Sequence, residues 1–257
     1  MSRLFDRYDG AAFMRLFAEA GVLAALEAKG FTDFEVEIAE AGLAMPHVWL
    51  LARKAGHRHL LLDACLRRLG LAPQTLYQAD LTHAMPLELL LVQWVRAEDP
   101  TAAFGCQRPP LLLQSHPGLG VLRRAFRVAV RIASDLHLDG VASRPKFFHD
   151  AVIFHRSRLF LFLDGHEQGR FEALRRDLEA MPLHEATLAV AGWCVRDESG
   201  HVLQWTPGYQ VFPLSARLTE HFHSPRYAAD VDAARLAGRF QIEPGAFAKL
   251  RECARPG

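Results

Sequence analysis

The order of three consecutive segments constrains this fold most. An apolar run from Leu87 to Val95, broken only by Glu88 and Gln93, is bounded by Pro86 and by Glu98-Asp99-Pro100. It reads as a strand. A long segment from Pro100 to Pro117 follows; it contains Pro109 and Pro110 and reads as a loop, with Leu111-Leu112-Leu113 left open as a short strand. Loops of that length inside a domain are usually functional or mobile. The third segment starts at Pro117-Gly118-Leu119-Gly120 and passes directly into an amphipathic pattern. Leu122, Ala125, Phe126, Ala129, Ile132 and Ala133 recur at helical spacing, and Arg123, Arg127 and Arg131 lie at i, i+4 and i+8 on another face. A glycine turn that opens a helix presents unpaired N–H groups at the positive end of the helix dipole, which favours an anion. The plain alternative is a helix start with solvated arginines.

Flanking segments extend this order. Gly10 to Lys29 has helical spacing and ends at Gly30; Phe34, Val36 and Ile38 alternate with Glu35 and Glu37 as a half-buried strand. The apolar runs His47–Leu51 and His59–Leu62 flank a polar connector with Gly56 and predict a β-hairpin. After the glycine turn, Leu136 to Ala142 reads as a strand, Phe147 to Arg156 as a short helix and Leu159 to Leu163 as a strand. Glu167 to Met181 reads as a charged helix. Ala186–Val195 and Val202–Phe212 read as strands around an Asp197-to-Gly200 turn, and a helix is expected near Ala228 to Ala237. Strands and helices in this mixture predict an α/β or α+β fold with a mixed sheet. The simplest organisation is a single domain over residues 1–257, with 1–86 as an N-terminal helix and strands, 87–163 as the core and 164–257 as C-terminal helices and strands.

Composition excludes some partners. The formal net charge is only +1, so nothing calls for nucleic acid or an anionic membrane, and any phosphate site must be local. No apolar run approaches the ~20 residues of a membrane span. Cys65, Cys106, Cys194 and Cys253 form no C-x-x-C pair, and Met1-Ser2-Arg3 opens no signal peptide; a cytoplasmic protein with reduced thiols is expected.

The middle of the chain resembles the GNAT superfamily of N-acyltransferases. There a central strand leads into a pyrophosphate loop of pattern Gln/Arg-x-x-Gly-x-Gly/Ala, then a helix, a strand splayed from its neighbour, a short helix and a strand. Ser115-His116-Pro117-Gly118-Leu119-Gly120 matches the two glycines, with Ser115 in the place of Gln/Arg and Gln114 one residue early. The family's later Ala-x-x-Leu-Tyr-x-x-x-Gly-Phe corresponds to Ala151 through Phe160, with His155 at the tyrosine position and Leu159 at the glycine. The likeness covers roughly residues 87–163 and implies a GNAT-like domain with N- and C-terminal extensions.

The resemblance implies acyl-CoA, acetyl-CoA or longer, as co-substrate and an amine of a small molecule or peptide as acceptor. Its pyrophosphate would meet Gly118, Leu119, Gly120, Val121, Arg123 and Arg124, and the cofactor would sit between the splayed strands near Leu90 to Trp94, with Val92 and Trp94 binding it, and Leu138 to Val141. His155 would protonate the departing thiolate, with His149 and Glu88 as further acid–base candidates; histidine has the suitable pKa without perturbation. The same changes at the tyrosine and glycine leave a non-catalytic binding or accessory protein as the alternative. A homodimer is compatible with either.

Other chemistry is less well supported. Asp135-x-His137-x-Asp139 and His149-Asp150 raise a metal-dependent hydrolase as a distant alternative, although the first trio straddles a helix end. His221-x-His223 reads as surface. There is no G-x-S-x-G and no phosphate-binding G-x-x-x-x-G-K-[ST].

Overall fold

The computed structural model describes residues 3–41, 45–72, 76, 85–105, 109–156 and 160–253. The chain is mixed α/β and divides into two compact units. The first comprises Met1–Leu71, Leu87–Pro110 and Gln114–Ser143; the second comprises Ala72–Pro86, Leu111–Leu113 and Arg144–Gly257. The 87–163 segment expected as one core is therefore shared between them at Ser143.

In the first unit, β1 (Thr32–Ala41), β2 (Met45–Lys54), β3 (His57–Leu71) and β4 (Leu87–Ala97) form an antiparallel meander in that order. The predicted hairpin closes on Ala55 and Gly56, at φ 50 and 82, a doubly left-handed turn that matches the twist of the flanking strands. Helix α3 (Leu122–Asp135) then carries the chain to β5 (Gly140–Ser143), which runs parallel to β4, with Leu89 opposite Gly140 and Val92 opposite Ser143. A parallel neighbour requires such a crossover. Leu50, Leu62, Leu89 and Leu91 are buried in the sheet, and Val128, Ala129, Ile132 and Ala133 are the buried residues of α3. The predicted N-terminal helix is two helices, α1 (Gly10–Glu19) and α2 (Val22–Glu27), because Gly21 adopts φ 73 between them. Phe13 and Phe17 anchor α1, each contributing about 1.5–3 kcal/mol by burial.

The second unit is largely helical. It contains α4 (Phe148–Arg156), α5 (Gly165–Asp177), α6 (Leu183–Ala191), α7 (Ala216–His223), α8 (Pro225–Ala237) and α9 (Pro244–Cys253). Two small strand pairs accompany them: β6 (Leu161–Phe162) with β8 (Gln210–Pro213), and β7 (Val195–Asp197) with β9 (Phe240–Ile242). Asp164 caps α5 by accepting from Glu167 N–H, and Ser224 caps α8 through Tyr227 N–H.

Several expectations are corrected. Ala186–Val195 is not a strand: its buried residues Ala186, Thr187, Ala189 and Val190 follow helical spacing in α6. A short apolar run does not distinguish a buried helix from a buried strand. Val202–Phe212 is a strand only from Gln210; Val202 makes one bridge to Arg196, and Pro207-Gly208 interrupts the rest. The strand expected from Leu136 begins at Gly140, because the helix closes through Leu136 with His137 at φ 55. Leu111–Leu113 forms no strand. For Gly70 to His83 the sequence predicts an irregular stretch or a short helix; Gly70 and Leu71 belong to β3, and most of the remainder lies outside the described residues.

Candidate functional site

The glycine turn is tied to the end of β4. Leu119 N–H donates to Ala97 O (3.1 Å), Asp99 N–H donates to Pro117 O (2.7 Å), and Glu98 bridges Gly118. Leu119 and Val121 are each 1% exposed, so they anchor the turn, while Gly120 reverses the chain at φ 73. Arg124 and Ala125 N–H both reach Val121 O, which leaves the N–H groups from Gly120 to Arg123 without a partner among the described residues. Arg123, Arg124 and Arg127 are exposed and make no ion pair among the described residues; Arg131 does, with Asp135 (2.9 Å). Two arginines in a first turn oppose the helix dipole. Free donors and uncompensated cations at one turn suit a polyanion.

Further back on the same strand the ladder is irregular. Cys65 pairs with Trp94 and Leu66 with Val92, so Gln93 is an extra residue on β4. Such a bulge leaves backbone groups unpaired and turns neighbouring side chains outward. It falls where pairing with β5 ends, at Val92. Gln93 is held by Arg67 Nε (3.1 Å), and Trp94 stands 48% exposed.

Beside Trp94 lies a dyad that the sequence reading did not single out. Asp63 on β3 is 6% exposed, and its Oδ1 lies 3.0 Å from His47 Nδ1 and accepts from Trp49 Nε1 at 3.0 Å. The His47 ring meets Trp94 edge-on, centroids 5.4 Å apart. Asp63 is acceptor-only when ionised, so a neutral His47 ring carries its proton at Nδ1 and presents the Nε2 lone pair, and Nε2 has no partner among the described residues. A carboxylate that fixes a histidine this way makes its distal nitrogen a positioned base. The legible signal was Asp63 itself, a lone carboxylate within Leu60-Leu61-Leu62-Asp63-Ala64-Cys65, since a buried charge requires donors.

The other predicted site residues have separate settings. Glu88 is exposed near the start of β4, opposite Gly70 and five residues before Gln93, roughly 17 Å along the strand. Its backbone N–H is capped by Asp139 Oδ2 (2.8 Å). His149 and His155 belong to the second unit. His149 is buried, stacked on Phe147 and 3.2 Å from Asp150 Oδ1, while its Nδ1 finds no partner among the described residues. Burial pushes its pKa down against the pull of Asp150.

His155 packs against Phe171 and lies 2.6 Å from Arg175 Nη1 through Nδ1. Arginine only donates, so Nδ1 accepts and the ring proton is at Nε2. Gln168 accepts Phe162 N–H at Oε1 and donates from Nε2 to Glu172; with the ring proton at Nε2, His155 cannot accept from Gln168, and their 3.2 Å approach is a packing contact. Burial, then Arg175, lowers the His155 pKa, with Glu172 opposing. The ring is thus a neutral imidazole whose lone pair is occupied, an arrangement better suited to holding Arg175 than to moving a proton.

The remaining candidates serve structure. Asp135 accepts from Tyr8 and Arg131, and Asp139 caps Glu88, so with His137 they do not converge. No group of three metal-ligating side chains comes together among the described residues. His221 is buried, not at the surface as expected, and donates from Nε2 to Leu163 O (2.8 Å). Among the described residues, no helix is long and apolar enough to cross a membrane. No protein-family model matches the chain, and no curated protein matches it.

Proposed function

We propose that the chain is an acyl-CoA-dependent N-acyltransferase, with its working surface along β4 and the glycine turn. One observation carries this reading: a single strand bears both the bulge at Gln93 and, four residues on at Ala97, the hydrogen bond that fixes the glycine turn. That separation is about 14 Å of strand, room for an extended acyl-carrier arm between an acyl end and a diphosphate end. The donor set fits the group: N–H groups and the guanidinium groups of Arg123 and Arg124 at one end, and backbone exposed by a bulge at the other.

The thioester supplies an activated acyl group. Backbone N–H beside Gln93 stabilises the carbonyl oxygen as it gains charge. His47 Nε2 takes the proton that the attacking amine loses and returns it to the departing sulfur, so the exchange needs no further acid. Asp63 holds Nδ1–H throughout and stabilises the charged ring. Trp94 screens the dyad and positions the acceptor.

Calorimetric titration with acetyl-CoA tests the binding half. Saturable binding, weakened by Arg123→Glu/Arg124→Glu, is expected; each charge-assisted contact contributes about 1.5–3 kcal/mol, so the pair should cost about a hundredfold or more in affinity. Binding without turnover across a panel of amines would favour the accessory-protein alternative, and no binding would remove the proposal.

A further inference from the structure

The second unit contains a cavity of about 400 Å³, near the small end of ligand-sized pockets. Its lining mixes two chemistries. Phe148 and Val152 of α4, Met181 and Leu183 are apolar, and Arg156, Arg175, Arg176 and Arg235 line it with Glu172 and Glu179.

These charges are not equally satisfied. Arg176 is clasped by Asp177 (2.7 and 3.0 Å) and by the carbonyls of Arg235 and Gly238. Arg235 pairs with Asp232 (2.7 Å) and lies 3.8 Å from Glu172. Glu172 also accepts from Gln168 (2.8 Å). Glu179 is exposed to solvent.

Arg175 differs from all of these. It is half-buried, and among the described residues no carboxylate lies within ion-pair distance. Its hydrogen-bond partner is His155, which takes one N–H without cancelling the charge. Arg156, which is exposed, also lacks a carboxylate partner among the described residues. Partial burial of an unneutralised guanidinium is costly unless an anion joins it. The His155 contact holds the guanidinium in place, and a planar fork with free N–H groups matches a carboxylate.

We propose that this cavity binds a small carboxylate with an apolar body, its head on Arg175 and its body against Phe148, Val152 and Met181. Every residue named belongs to the second unit, and none is among those proposed for acyl transfer.

The test is calorimetry on the full chain, without CoA, using 3-phenylpropionate, its neutral amide and inorganic phosphate. Phenylpropionate should bind saturably, with the amide and phosphate each weaker by about tenfold or more. Arg175→Lys keeps the charge but loses the fork and should weaken phenylpropionate by about tenfold. Met181→Trp, which fills the apolar end, should do the same and still decides the matter if the arginine variant fails to fold. Arg123→Glu/Arg124→Glu should bind like wild type, which separates this site from the glycine turn. The proposal is overturned by absence of saturable phenylpropionate binding, by equal affinity for the amide or phosphate, or by unchanged binding in both pocket variants.

Discussion

Gly169→Ala tests the packing that shapes the second unit. Gly169 lies in α5 where α8 crosses it, and a Cβ there would stand 2.2 Å from Val231 O, 2.8 Å from Ala234 Cβ and 2.9 Å from Arg235 N. Two of these neighbours are backbone atoms and cannot turn aside, so α8 must shift as a body. Overpacking of this kind costs about 1–3 kcal/mol, and with backbone in the way the upper end applies. Alanine in a helix interior recovers about 1 kcal/mol of the glycine penalty. The net expectation is a loss of about 2 kcal/mol, read as a lower urea midpoint with an unchanged slope. Gly245, also in a helix of the second unit, has nothing within 4 Å of its would-be Cβ. Gly245→Ala should therefore stabilise by about 0.5 kcal/mol. One substitution with opposite signs at two sites isolates the contact from propensity. A Gly169→Ala protein as stable as wild type would refute the close crossing of α5 and α8, and with it the placement of Arg235 beside Glu172.

The remaining predictions concern the dyad and pH. Asp63→Ala leaves His47 Nδ1–H and Trp49 Nε1–H without their acceptor and should cost about 1–3 kcal/mol in denaturant unfolding; an unchanged midpoint would contradict the buried dyad. His47→Gln should lower acyl transfer by about a hundredfold or more while leaving acetyl-CoA affinity within about twofold, and equal turnover would acquit His47 as the base. Burial lowers the pKa values of His149, His155 and His221 from the ordinary 6.5. The unfolded chain takes up these protons first, so their stabilising contribution is intact above 6.5 and declines as pH falls through that value toward the lower folded ones. Glu167, pushed above 4.5 chiefly by burial, acts in the opposite sense at lower pH, because the folded state then binds the proton first. Urea midpoints at closely spaced pH values should show the histidine decline, and His155→Gln should make it shallower; a flat profile from pH 7 to about 5.5 would contradict lowered pKa values at these three rings.

The elements organised by local signals were legible in the sequence. The Leu87 run, the hairpin around Gly56 and the helix after Gly120 were all readable, because periodicity, glycine and proline act over a few residues. Ala186–Val195 was not, since a fully buried helix and a buried strand share one apolar composition and only packing decides between them. Gly21 is not legible as a helix break because the apolar spacing runs through it. The glycine turn was legible, and its hydrogen bonds to the end of β4 place it on the strand expected to lead into it. The His47–Asp63 pair was not, because its members are sixteen residues apart and meet only through the register of β2 on β3. The motif position of His155 carries no information on its setting, which depends on Arg175, one helix later in the chain. Sequence spacing identifies neighbours along an element and says little about those across it.

Hydrogen–deuterium exchange with and without acetyl-CoA addresses the proposed site most directly. Bound acetyl-CoA should slow exchange at the N–H groups of Gly120 to Arg123, which lack partners among the described residues, and at the bulge around Gln93 and Trp94. Peptides from α5 and α8 should exchange as before. Protection at both predicted segments and nowhere else is the expected result. Protection confined to the second unit, or none at saturating acetyl-CoA, would contradict an acyl-carrier site along β4 and the glycine turn.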